Sequence, residues 1–85
     1  MDKNDFNRLL GSFVKARRLE RKWSQSVLAA RAGNNYQNIS AIERGEVSPT
    51  LYWICEKLAP ALETDPKEFI SELFSYMAKE RAGRK

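Results

Sequence analysis

Eighty-five residues, 42% of them hydrophobic and nine of them aromatic, describe one small folded domain near the lower limit for a core without staples, and exclude a disordered chain. A single cysteine, Cys55, and no histidine exclude an internal disulfide and leave a zinc site without ligands. The net charge of +4 is unevenly held, with nine Lys/Arg against four Asp/Glu in residues 1–45 and six against seven in residues 46–85, so a polyanionic partner would meet the first half of the chain.

The first predicted helix runs from about Asp5 to Arg21 and buries Phe6, Leu9, Leu10, Phe13 and Leu19 on helical spacing. Gly11 inside it costs about 1 kcal/mol, so this helix needs tertiary support. Ser24 is a fitting N-cap for a second helix, with Trp23 before it and Leu28 after it as a hydrophobic staple. Val27 stands where a capping box would carry Glu. Gly33 can take the left-handed conformation that ends the second helix near Ala32. Asn35 caps a third helix from Tyr36 to about Arg44, and Gly45 stops it.

Ser48-Pro49-Thr50 opens a fourth helix with Leu51, Ile54, Cys55, Leu58 and Leu62 as its apolar stripe. Pro60 is expected to kink this helix or end it near Ala59. Asp65-Pro66 opens a fifth, with Asp65 as cap, Pro66 at the first position and Glu68 closing the box. No segment alternates as a strand does, so the fold class is all-α, five helices in one domain over residues 1–80, followed by a basic tail at 81–85. No apolar run approaches the roughly 18 residues of a membrane span, and the opening MDKNDFNRLL is not a secretory signal. A cytoplasmic location is expected.

The third helix has two faces. Ile39 and Ile42 point one way, where Leu28 and Ala29 of the second helix can meet them. Tyr36, Gln37, Ser40, Ala41 and Arg44 fall on the other side. Gln37 can make paired bonds to adenine N6 and N7, Tyr36 and Ser40 can bond a base edge or a phosphate, and Ala41 can meet a thymine methyl. Polar residues also cover ordinary surface helices, and on this helix alone that plain reading is the better one. The whole package shifts the balance: small Ala29 and Ala30, the turn at Gly33 and the anchors Ile39 and Ile42 together make a helix-turn-helix over about residues 24–44.

From about Leu10 to Phe69 the chain resembles the Cro/C1-type (XRE-family) helix-turn-helix domains of phage repressors and restriction-modification controller proteins. The resemblance is carried by Arg18, Ser24-Gln25, Leu28-Ala29, Gly33, Ile39-Ser40, Ile42-Glu43-Arg44-Gly45 and Pro49-Thr50-Leu51, in matching order and spacing. It departs from the pattern at Val27, and in the fourth helix, where WICEKLAPAL runs one residue long. The resemblance implies a compact lambda-repressor-like domain whose Tyr36, Gln37, Ser40 and Ala41 read bases. It implies phosphate contacts from Gln25, Asn35 and Arg44, and an internal ion pair between Arg18 and Glu43. Double-stranded DNA carrying a palindromic operator is the implied partner, bound as a homodimer and without a cofactor or metal.

A dimer surface is expected on the fourth and fifth helices. On a helical wheel Trp53 points away from its stripe, and Phe69, Ile70, Leu73, Phe74 and Met77 make a stripe wider than a small core needs. Trp53, Phe74 and Met77 are therefore the candidate dimer contacts. An antitoxin or protein-interaction module holding a partner on these same two helices is the alternative. An enzyme is not expected, because no nucleophile has a base beside it.

Overall fold

The computed structural model describes residues 1–83, and each helix in it begins at a side chain suited to begin one. Asp2 caps α1 (Lys3–Glu20), Ser24 caps α2 (Gln25–Arg31) and Asn35 caps α3 (Tyr36–Glu43). Thr50 caps α4, which spans residues 51–61, and Asp65 caps α5 (Pro66–Ala82). In each case the side-chain oxygen accepts a backbone N–H from the first turn, at 2.8–3.1 Å, satisfying a donor that the helix itself cannot. α1 starts earlier than the sequence suggests, because Asp2 offers a cap upstream of Asp5.

The first four helices also end alike. Lys22, Gly33, Gly45 and Glu63 all take positive φ, and the residue after each donates its N–H back to the helix. Trp23 bonds Arg18 O, Asn34 bonds Ala29 O, Glu46 bonds Ala41 O and Thr64 bonds Ala59 O, the bond of a Schellman motif.

α4 contains a π turn, Ile54–Leu58, between Leu51–Trp53 and Ala59–Ala61. The Ala59 N–H reaches five residues back to Ile54 O. Such a turn takes up one residue more than an α-helix would, which is where the extra length of WICEKLAPAL goes. It also loosens the turn that the Pro60 ring, lacking an N–H, would otherwise strain. The helix therefore runs through Pro60 instead of stopping at Ala59.

The core is one cluster. α1 contributes Leu9, Leu10, Phe13 and Val14, α2 Leu28 and Ala29, and α3 Ile39 and Ile42. α4 adds Ile54, Leu58, Ala59 and Ala61, and α5 adds Phe69, Leu73 and Met77, with Ala32 and Leu62 at the helix ends. Phe13 meets Phe69 edge-on at 5.2 Å and Tyr76 at 5.4 Å, joining α1 to α5.

Several expectations change. Leu19 and Leu51 lie in solvent, Cys55 is only part-buried, and Val14 takes a core place that the stripe of α1 did not assign it. Trp53 is not an outward residue. The π turn breaks the 100° wheel, and the indole packs on the core while its Nε1 donates to Ala32 O at 3.2 Å, a carbonyl left open at the end of α2. Met77 is 2% exposed, continuing the ridge of Phe69 and Leu73, so its area is already spent within the chain. Of the three expected dimer contacts, Phe74 alone, at 54%, keeps the exposure that a contact with a second copy requires. Arg81 belongs to α5, while Arg84 and Lys85 of the expected tail lie outside the described residues. No helix among the described residues is long and apolar enough to cross a membrane.

Candidate nucleic-acid interface

The site is built from the way α1 grips the C-terminal end of α3. Asn7, Gly11, Val14 and Arg18 recur at helical spacing and form one buried ridge. At Gly11 the helices nearly touch, since a Cβ there would lie 2.3 Å from Ile42 O and 2.6 Å from Glu43 O. The glycine that looked like a weakness in α1 is what lets α3 come this close. Gly45 repeats the device, because a Cβ on it would sit 2.9 Å from the Arg8 Cα. One step further, Ser48 Oγ donates to the buried Asn7 Oδ1 at 2.7 Å, tying the loop after α3 to the start of α1.

At the other end of the ridge Arg18 Nε and Nη2 donate to Glu43 Oε2 and Oε1 at 2.7 and 2.9 Å, and Arg18 Nη1 donates to Trp23 O at 2.7 Å. Only 8% and 3% of these two side chains remain exposed. The hydrogen bond to Glu43, with burial opposing it and the carboxylate charge assisting, raises the Arg18 pKa further above its ordinary value, so the guanidinium stays charged. Gln25 Nε2 joins from α2, donating to Glu43 Oε1 at 3.0 Å. Arg18, Glu43 and Gln25 thus fasten α1, α2 and α3 at one point.

With Ile39 and Ile42 buried and Glu43 turned inward, the opposite side of α3 faces solvent. Tyr36 and Gln37 are exposed there, with Ser40 and Ala41 half-buried beside them. This surface offers a phenol, an amide, a hydroxyl and a methyl in two turns of helix, which suits base edges in the major groove.

The three side chains with an implied phosphate role stand differently. Asn35 is exposed, and capping uses its Oδ1, which fixes the amide so that its NH₂ remains a free donor. Gln25 has spent one N–H on Glu43 and keeps the other. Arg44 is engaged: its Nε and Nη2 donate to Glu46 at 2.8 and 3.0 Å, and its Nη1 donates to Ser40 Oγ. The hydrogen bond and charge of Arg44 hold the Glu46 carboxyl below its ordinary pKa, and Glu46 raises that of Arg44. The basic end of α1 is also partly occupied. Arg17 lies over the Phe13 ring and pairs with Glu20, and Arg21 donates to Leu62 O beside Glu63. Arg31 stacks on the Trp23 ring at 4.2 Å.

Asn7, Glu46 and the Trp23–Arg31 stack escaped the sequence reading. Asn7 alone had a signal, its helical register with Gly11 and Arg18.

The helix-turn-helix family model matches residues 14–69, which take in α2, α3, α4 and, of the ridge on α1, Val14 and Arg18. The chain belongs to this family, in its Cro/C1 (XRE) type. It is a DNA-binding transcription regulator. The fold matches that of the clp gene regulator ClgR from Corynebacterium glutamicum, with TM-score 0.79 and 19% identity over 92% of this chain and 82% of that one. The restriction-modification controller protein C.AhdI from Aeromonas hydrophila is similar over 79% of this chain and 94% of its own, with 30% identity and TM-score 0.69. A hypothetical transcription factor, NHTF from Neisseria, shares 30% identity over 81% of this chain and 78% of its own, with TM-score 0.68. Comparison with curated proteins gives no significant match.

Proposed function

We propose that this helix-turn-helix protein acts in the cytoplasm as a homodimer on a palindromic operator, with α3 in the major groove. Tyr36, Gln37, Ser40 and Ala41 read bases, while Asn35 and the remaining N–H of Gln25 hold the flanking backbone. The observation that carries this reading is the orientation of α3. Its apolar side is fixed by Ile39 and Ile42, its C-terminal end by Arg18, Glu43 and Gln25, and only the polar side is left for a ligand. The likeness to a restriction-modification controller protein and to a hypothetical transcription factor supports a regulator that binds DNA through this domain.

Phe74 on α5 is the contact we assign to the second copy, since of the three expected contacts it is the one that stays half in solvent. Leu51 and Tyr52, each 68% exposed, give α4 a similar apolar start. A two-fold pair would place its two α3 helices on half-sites about 34 Å apart.

Selection of bound duplexes from a random pool tests the function: a two-fold symmetric consensus is expected, and sequence-blind binding refutes it. Sedimentation of the wild type and of Phe74→Glu tests the dimer. A dimer that Phe74→Glu converts to monomer is expected, and an unchanged assembly state removes Phe74 from the interface.

A further inference from the structure

The posture of Arg44 suits a phosphate clamp poorly. Arg44 follows the last residue of α3, yet its guanidinium is not splayed beyond the helix. It lies back over the preceding turn, with Nη1 donating to Ser40 Oγ, while Glu46 from the following loop takes Nε and Nη2 at 2.8 and 3.0 Å. Tyr36, Ser40 and Arg44 lie on one ridge of the helix, so Ser40 holds the guanidinium on the face that reads bases.

Counting donors sharpens this. A guanidinium has five N–H groups in a fixed fork. Glu46 uses two and Ser40 one, which leaves one N–H on each of the two terminal nitrogens. Paired donors of this kind match O6 and N7 of guanine. The charge points the same way. A guanidinium paired with a carboxylate attracts a phosphate weakly, and a carboxylate against the DNA backbone is repelled. Hydrogen bonds to a base edge depend on direction and survive the pairing.

We propose that Arg44 reads a guanine in each half-site, and that Glu46 and Ser40 are the residues that position it. This rests on the reading of α3 as the helix that enters the major groove.

The test compares wild type, Arg44→Ala, Arg44→Lys and Glu46→Gln, all at exposed positions and each checked for an unchanged melting curve. Each protein selects duplexes from a random pool, and affinities for the chosen duplex are measured across a salt series. The wild-type half-site is expected to hold one guanine that Arg44→Ala no longer demands and Arg44→Lys demands less strictly, the remaining positions being kept. Replacing that guanine should weaken the wild type by roughly 5- to 150-fold and leave Arg44→Ala indifferent, with Arg44→Lys between the two, because lysine keeps the charge and can reach a base edge but loses the fork. Glu46→Gln should blur the guanine while raising affinity for unrelated DNA. An unchanged half-site in Arg44→Ala overturns the proposal. So does a uniform loss across sequences in Arg44→Ala with the salt slope reduced by about one, the mark of a phosphate contact. A wild type that selects no sequence refutes base reading by α3 as a whole, and this assignment with it.

Discussion

Glu43→Ala puts the joint between three helices to the test. Glu43 accepts bonds from Arg18 Nε, Arg18 Nη2 and Gln25 Nε2, at 2.7–3.0 Å and almost without solvent. Removing the carboxylate leaves Arg18 buried with Trp23 O as its remaining partner. Breaking a buried pair from one side costs about 3–5 kcal/mol, because the abandoned charge has lost both water and partner. At roughly 0.05–0.15 kcal/mol per residue a domain this size has about 4–13 kcal/mol in total. The variant is therefore expected to melt at least roughly 12 °C lower and to be partly unfolded if the starting stability is at the low end.

Urea unfolding followed by helical circular dichroism measures this, with three companions that separate the causes. Gln25→Ala removes one donor of three and should cost about 1.5–3 kcal/mol. Arg18→Met should be costly too, since it strands Glu43. Arg18→Met with Glu43→Leu strands neither charge and should recover most of the loss. The reasoning is refuted if Glu43→Ala costs less than about 1 kcal/mol, the value of an exposed pair. It is equally refuted if the double variant is no more stable than Glu43→Ala.

Gly11→Ala should destabilise by at least about 1–3 kcal/mol and also weaken DNA binding, since its Cβ meets backbone oxygens of α3; urea midpoints and operator affinity check both. Gly33→Asn is the control, because nothing lies within 4 Å of a Cβ there and asparagine tolerates positive φ, so its midpoint should barely move. Lys22→Gly should stabilise by about 0.5–1 kcal/mol in the same assay, relieving a left-handed lysine at the end of α1; a loss would mean that the lysine side chain has a partner of its own. Glu46 has its pKa lowered in the folded chain, so its contribution is present above the ordinary glutamate pKa and disappears as pH falls through the lowered one. A carbon-detected NMR titration should place its midpoint below that of an unstructured glutamate, and Arg44→Ala should return it there.

Much of this fold could be read directly because its signals are local. Ser24, Asn35 and Asp65 cap where their side chains can reach the next turn, and Gly33 and Gly45 end helices where a left-handed residue is needed. The exposed face of α3 followed from the period of Ile39 and Ile42 alone. What could not be read arises between elements. The π turn depends on how Pro60 and one surplus residue are accommodated together, and it turned Trp53 from an outward residue into an inward one. Lys22 and Glu63 end helices in the left-handed conformation without being glycine, which no local rule favours. The pairing of Arg44 is equally hidden, because its partner, Glu46, lies beyond the helix and no periodicity connects the two.

The fastenings of α3 are not evenly spread, and this bears on how it would read DNA. The Gly11 approach, the Arg18–Glu43–Gln25 joint and the Gly45 seat all act on residues 42–45, and the Arg44–Glu46–Ser40 set overlies the same end. The N-terminal end has Asn35 as its cap and Ile39 as its nearest buried anchor, and Tyr36 and Gln37 are exposed. A side chain discriminates between bases only as sharply as its own position is fixed. Residues near 40–44 can therefore demand one base, whereas Tyr36 and Gln37 can adjust to more than one. The strictest position of a half-site should lie under the C-terminal half of α3, where the helix is held against α1, and the tolerant positions under its start.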